Sequence, residues 1–181
     1  MFNMNATWNS RATAQAAGVS HDKLQLWLKR KHPVGDGISG GGAQGVPRSF
    51  TFRGVMEIAY ARAFVDQGMG PKDAFHSAAK VAYTTSGRSN GNGLDVLREA
   101  GFPFPRDKDG TLALAFDGRT EVVMTSEAIL HGAFRSDVEA MTVVNVNRVF
   151  NDVCSRLGID ADEVLAKVYT SWPRRIELVE G

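Results

Sequence analysis

The sequence predicts an α+β protein, in which a mostly helical N-terminal half precedes a smaller half of mixed strands and helices. Apolar residues recur at helical spacing up to about residue 83, and β-prone runs flanking turn residues follow after residue 110. A stretch rich in Ser, Gly and Asn, 84–93, lies between them and is typical of a linker. We therefore expect an N-terminal domain over 1–83 and an α+β domain over 94–181.

The composition is that of a soluble globular protein. The chain has 181 residues and a hydrophobic fraction of 43%. It contains no apolar run long enough to span a membrane, and its first residues lack the pattern of a signal peptide. The single cysteine, Cys154, excludes an internal disulfide. These features predict a cytoplasmic protein, associated with the bacterial nucleoid if it binds DNA, with no membrane partner.

The charge is unevenly distributed along the chain. Residues 1–86 hold 10 Lys and Arg against 5 Asp and Glu, a net charge of +5. Residues 87–181 hold 11 against 15, a net charge of −4. A nucleic-acid-binding protein would place its positive charge on the binding region, which favours the first half.

Two short helices are predicted first. Ser10 is a suitable N-cap for a helix that Gly18 ends, and Ser20 is a suitable N-cap for a second helix reaching about Lys31. The second helix has one apolar stripe, formed by Leu24, Trp27 and Leu28.

A glycine-rich segment follows, with six glycines in the eleven residues 35–45. So much glycine opposes regular packing and predicts the flexible tip of a hairpin. A phosphate-binding loop is the alternative, but no Gly-Lys-Ser/Thr follows the glycines. Two further helices are predicted, over 52–67 and from Pro71 onward.

The second half mixes both kinds of element. We expect a short helix over 94–100 and a hairpin at Asp117-Gly118, because Asp-Gly between β-prone runs is a hairpin signal. A strand is expected over 141–144. Helices are expected over 146–157 and from Asp160 onward.

Together, AQAAGVS at 14–20, Leu24, Trp27 and the run Arg48-Ser49-Phe50-Thr51 outline a winged helix-turn-helix. Over about residues 11–83 the chain resembles the MerR family of transcription regulators, including a Gly-Met-Gly turn between the third and fourth helices. The resemblance implies a homodimer on a palindromic or direct-repeat operator, often with DNA distortion. The chain is similar to divergent members from phages or mobile elements, since Gln25, Leu26 and Leu28 stand where the family usually has arginine, tyrosine and glutamate. The family's long dimerisation helix is not predicted here.

A helix-turn-helix places its second helix in the major groove, with the N-terminal side chains nearest the bases. The predicted base contacts are His21, Lys23 and Gln25. The predicted backbone contacts are Ser20, Lys29, Arg30, Arg48 and Arg53. The apolar face of the helix over 146–157 is a candidate dimer interface, with its use as an ordinary core helix as the alternative. That face consists of Val146, Val149, Phe150, Val153 and Leu157.

No catalytic, metal or cofactor site is predicted, because one cysteine and four histidines without ligand spacing offer no such motif. We expect a sequence-specific double-stranded DNA-binding regulator, not an enzyme, whose second half serves dimerisation or binds a protein partner. One alternative is an excisionase-like, architectural or packaging DNA-binding factor. The other is a protein-interaction adaptor whose helix-turn-helix fold no longer binds DNA.

Overall fold

A computed structural model describes residues 3, 5–41, 45–90, 94–105, 110–124 and 138–170. Within these ranges the chain is a mixed α+β protein with six helices and eight strands. In chain order the elements are β1 (Thr7–Asn9), α1 (Ser10–Ala17), α2 (His21–Lys29), β2 (Ile38–Ser39), β3 (Ser49–Thr51), α3 (Phe52–Asp66), α4 (Pro71–Tyr83), β4 (Ser86–Asn90), β5 (Leu94–Arg98), β6 (Thr111–Phe116), β7 (Arg119–Met124), β8 (Thr142–Asn145), α5 (Val146–Leu157) and α6 (Ala161–Thr170).

The strands form small antiparallel sheets in the orders β1-β3-β2, β4-β5 and β7-β6-β8. In the first sheet Phe50 of β3 faces Trp8 on one side and Ile38 on the other. The predicted Asp-Gly hairpin is confirmed: Phe116 pairs with Arg119 across the turn. Asp117 and Gly118 have φ angles of 47° and 70°, which is the left-handed backbone that Asp-Gly turns adopt.

Helix caps fix where α1 and α2 begin and end. Asn9, not Ser10 as predicted, caps α1, because β1 ends at Asn9 and its side chain accepts a hydrogen bond from the Ala12 N–H at 2.9 Å. Gly18 ends α1 with a φ of 72°, and Ser20 caps α2, as predicted. The second helix ends at Lys29, two residues before the predicted end.

One cluster of buried side chains includes residues from both halves of the chain. At its centre, the ring of Phe52 lies 5.4 Å from that of Phe102 and 6.2 Å from that of Phe150, measured between centroids. Arg156 of α5 donates a hydrogen bond to the Ala16 carbonyl of α1 at 3.2 Å. Residues before 84 therefore pack against residues after 93. The division into two domains at 84–93 stays a prediction.

The helix predicted over 94–100 is wrong. Residues 94–98 form β5, which pairs along its whole length with β4, and β4 lies within the predicted linker. Arg98 explains how β5 is held in place: its guanidinium is fully buried and donates hydrogen bonds to the carbonyls of Val81, Thr84 and Phe102. Tertiary hydrogen bonding has overridden a local helical pattern.

The apolar stripe of α5, predicted as a candidate dimer interface, packs within the chain itself. Val146, Val149, Phe150 and Val153 are at most 5% exposed within the single chain, and Leu157 packs against the same core. The apolar stripe of α5 is already covered by α1, α3 and β6. This burial favours the alternative interpretation, an ordinary core helix.

Candidate nucleic-acid interface

The second helix, α2, has one buried face and one exposed face. The Ser20 hydroxyl accepts a hydrogen bond from the Lys23 N–H at 3.1 Å, and Asp22 adds negative charge to the first turn. The predicted stripe is buried: Leu24 is 0% and Trp27 is 3% exposed. The ring of Trp27 meets Phe75 of α4 edge-on at 5.2 Å. This packing sets which side chains of α2 face outward.

The outward face of α2 brings together two of the three predicted base contacts. His21 Nε2 lies 3.2 Å from Gln25 Nε2, a hydrogen bond one helical turn apart. Lys23, the third, is half-buried like Gln25, and its Nζ lies 5.1 Å from the centroid of the Trp27 ring. The ammonium therefore contacts the aromatic ring and does not extend away from α2. Sequence reasoning did not select Leu26, which is 44% exposed on this outward face.

The predicted backbone contacts are placed differently from one another. Lys29 and Arg30 are exposed at the end of α2, and the Ser20 hydroxyl is used as the helix cap. Arg48 is half-buried in the loop of the β2–β3 hairpin, directly before β3, where its side chain lies close to Gly41. The tip of this hairpin, residues 42–44, lies outside the described residues.

Arg53 differs from the other predicted backbone contacts, because its charge is compensated by an ion pair within the chain. Its Nη2 lies 2.7 Å from Glu99 Oε1, and the Glu99 side chain is only 16% exposed. A phosphate would have to compete with this ion pair for the guanidinium. The geometry therefore favours a structural role for Arg53, in which it connects α3 to the residue that follows β5.

The positive charge of the first half lies in its first part. Residues 1–53 hold seven Lys and Arg against two Asp, a net of +5, whereas residues 54–86 hold three of each sign. The excess thus coincides with α1, α2 and the β2–β3 hairpin. Without Arg53, which is paired with Glu99, residues 1–52 still hold six Lys and Arg against two Asp, a net of +4. An excess of positive charge of this kind attracts polyanions.

A partly buried network of hydrogen bonds, which we call the stem network, connects the start of the hairpin to α3 and α4. It consists of Glu57, Tyr83 and the backbone of Val34, Gly35 and Gly37. Glu57 Oε1 accepts hydrogen bonds from the Val34 N–H at 2.7 Å and the Gly35 N–H at 3.2 Å. The Tyr83 hydroxyl donates to Glu57 Oε2 at 3.0 Å and accepts from the Gly37 N–H at 3.1 Å.

Burial is the main influence on the ionisation of this network. Glu57 is 0% exposed, and loss of solvation raises the pKa of its carboxyl above the ordinary value of 4.5. The hydrogen bonds from Val34, Gly35 and Tyr83 oppose that rise, and the charge of Asp36 adds to it. Burial, followed by the charge of Glu57, raises the pKa of the Tyr83 hydroxyl. The tyrosine therefore remains a hydrogen-bond donor at neutral pH.

Two glycines allow the stem network to close. A Cβ atom on Gly35 would lie 1.8 Å from Cε2 of the Tyr83 ring, and one on Gly37 would lie 2.5 Å from the Gly54 nitrogen. Only glycine fits at such distances. The glycines at 35 and 37, predicted only as part of a flexible tip, are therefore required where the hairpin begins.

Other chemistry is limited in the described residues. They include no group of three or more His, Cys, Asp or Glu placed to hold a metal, and no helix among them is long and apolar enough to cross a membrane. Cys154 is 1% exposed, and burial raises the pKa of its thiol to about 12, so it remains protonated and packed.

Comparison of the chain with models of known protein families and with curated proteins finds no match.

Proposed function

We propose that this protein is a sequence-specific double-stranded DNA-binding transcriptional regulator of the winged helix-turn-helix type, similar to the MerR family. The observation that carries the proposal is the outward face of α2. It presents a paired histidine and glutamine followed by two cations, Lys29 and Arg30, on a helix whose other face is fixed in the core. Such a face is what a helix in the major groove requires.

The glutamine supports a specific reading role. A carboxamide has two N–H donors and one carbonyl acceptor, and His21 occupies one donor of Gln25. One N–H and the carbonyl remain, which are the groups that contact N7 and N6 of adenine. The bond to His21 also restrains the side chain before DNA arrives, which lowers the entropic cost of the contact.

The cations support a positioning role. Lys29 and Arg30 at the end of α2 and Arg48 beside the β2–β3 hairpin would bind phosphates, setting the register on the duplex without reading bases. The stem network supports this assignment, because it holds residues 34–37 to α3 and α4 at a fixed position. A wing must be held in this way to reach the backbone at a defined distance from the recognition helix.

We also propose that the protein acts as a homodimer, with residues 94–181 contributing to assembly or to a protein contact. Since the α5 stripe is buried, the dimer contact would use another surface. A two-fold protein reads two half-sites, so the operator itself reports the oligomeric state.

Selection of bound duplexes from a random pool tests the proposal. We expect an enriched motif with two half-sites. Gln25→Ala should relax one position of each half-site, and Arg48→Ala should weaken all sequences alike. Salt-dependent binding without a motif would instead support an architectural factor. Absence of binding at low salt would support a protein-interaction adaptor.

A further inference from the structure

Leu26 is an apolar side chain in the middle of a polar face. It is 44% exposed, and the other large apolar side chains that are exposed in the described ranges are Val34, Val46 and Val143. A single exposed leucine is common on protein surfaces. The position of this one is informative, since Gln25 precedes it and Lys29 and Arg30 lie three and four residues after it.

Helix geometry places Leu26 close to Gln25 along the axis of α2. Successive residues of an α-helix are about 100° apart around the axis and about 1.5 Å apart along it. Neighbouring base pairs are about 3.4 Å apart. The half-buried Gln25 and the exposed Leu26 can therefore reach the same base pair or adjacent ones.

The major groove offers one apolar group, the 5-methyl of thymine. An adenine read by Gln25 is always paired with a thymine, whose methyl lies on the same groove edge. Leu26 has four apolar side-chain carbons and no polar atom, so it can only contribute by covering a surface of this kind.

We propose that Leu26 is a specificity-determining residue that packs on a thymine methyl beside the base contacted by Gln25. The recognition face thus selects an A·T-containing step, through a hydrogen-bonding contact and an apolar contact on adjacent residues. This inference rests on the proposed function, and it adds a base-reading residue that the resemblance and the sequence patterns leave out.

The test removes the methyl from the DNA without touching the protein. The probe is the duplex enriched from the random pool, together with variants in which each thymine in turn is replaced by deoxyuridine. We expect one deoxyuridine substitution per half-site to weaken binding of the unmodified protein about fourfold, the value for burial of one methyl group. Fluorescence anisotropy at constant salt measures the affinities.

The protein variants assign that effect to Leu26. Leu26→Ala should bind the thymine and deoxyuridine duplexes equally, whereas Leu26→Met, which retains an apolar end group, should keep a thymine preference. Val143→Ala is the matched control, since it also removes an exposed apolar side chain but lies on β8, away from α2 and the hairpin in the sequence. Val143→Ala should keep the full fourfold effect. Circular dichroism checks that each variant is folded.

The outcomes separate this inference from the proposed function. An enriched motif whose binding is insensitive to every deoxyuridine, or a Leu26→Ala variant that keeps the preference, overturns the inference and leaves the DNA-binding function intact. A Leu26→Ala variant that alters self-association in sedimentation but not the thymine preference assigns the side chain to a protein contact and also overturns it. Failure of all duplexes to bind at low salt overturns both.

Discussion

Removing one oxygen atom from the stem network should destabilise the fold measurably. Tyr83→Phe deletes the hydroxyl that donates to Glu57 Oε2 at 3.0 Å and accepts from the Gly37 N–H at 3.1 Å. The aromatic ring that packs on Gly35 is retained. The variant therefore isolates the two hydrogen bonds from the packing around them.

The expected loss in unfolding free energy depends on which polar groups Tyr83→Phe leaves without a hydrogen-bond partner. Gly37 is buried, and its N–H would lose its partner. Glu57 is 0% exposed and would lose its contact to Oε2 while keeping those to Oε1. Each unsatisfied buried group costs about 1–3 kcal/mol. A cleft of about 530 Å³ adjoins Tyr83 and admits water, which reduces the penalty. We expect a total loss of about 2 kcal/mol in the free energy of unfolding.

Urea denaturation followed by circular dichroism measures this loss, and a thermal melt should fall by about 4–8 °C. Glu57→Gln and the double variant complete a mutant cycle. If both residues act through one network, their effects are non-additive by at least about 0.5 kcal/mol. An unfolding free energy unchanged by Tyr83→Phe, or strict additivity in the cycle, would refute the role assigned to these hydrogen bonds.

Three further variants test the same physical reasoning. Because burial raises the pKa of Glu57 above 4.5, its carboxyl binds protons more tightly in the folded state, and its contribution to stability is greatest below that pH and falls as the pH rises. The unfolding free energy of the wild type, measured by urea denaturation, should therefore decrease relative to that of Glu57→Gln as the pH rises from 4 to 7. A constant difference, or an increase, contradicts this. Gly35→Ala should lower the unfolding free energy by about 1–3 kcal/mol, since its Cβ would lie 1.8 Å from the Tyr83 ring. The control Gly70→Ala, whose Cβ would have its nearest neighbour 3.8 Å away, should change the melting temperature little. Equal melting temperatures for the two variants would argue against the close packing at Gly35. Arg98→Met should cost about 3 kcal/mol in urea denaturation, because the carbonyls of Phe102 and Thr84 lose the guanidinium as donor and the Val81 carbonyl keeps only the Gly101 N–H. A loss below about 1 kcal/mol would mean that water replaces the guanidinium.

Local sequence signals were sufficient for most helices and for one hairpin. The caps at Ser20 and Gly18, the stripe on α2 and the Asp117-Gly118 turn depend on residues within a few positions of each other. Such interactions are visible in the sequence because the groups that satisfy one another are neighbours in the chain.

The features that were missed depend on distant partners. A glutamate in a helix usually indicates a solvated charge. The buried Glu57 has its hydrogen-bond donors more than twenty positions away, in the backbone of residues 34–35 and in the Tyr83 hydroxyl. Arg98 belongs to a run with helical spacing, yet its partners at Val81 and Thr84 make it part of a strand. For α5, spacing identified an apolar face but could not tell whether the same chain or a second copy covers it.

The placement of Lys23 shows the same limit within the candidate site. Its position near the start of α2 suggested a base contact, but the ammonium lies over the Trp27 ring. Leu26 was taken as a departure from a familiar pattern, and its exposure is apparent only once the buried face of α2 is known. Which side of a helix faces outward is set by tertiary packing as well as by the helical period.

The dependence of duplex affinity on ionic strength tests the central claim most directly. If the outward face of α2 binds DNA, the logarithm of affinity should fall steeply with the logarithm of salt concentration, and Arg30→Ala should reduce that slope by about one unit. Arg119→Ala, which removes the same charge from the exposed first residue of β7 in the second half, should leave the slope unchanged. Equal slopes for the two variants, or no affinity for duplex at low salt, would contradict the assignment of α2 as the DNA-binding helix.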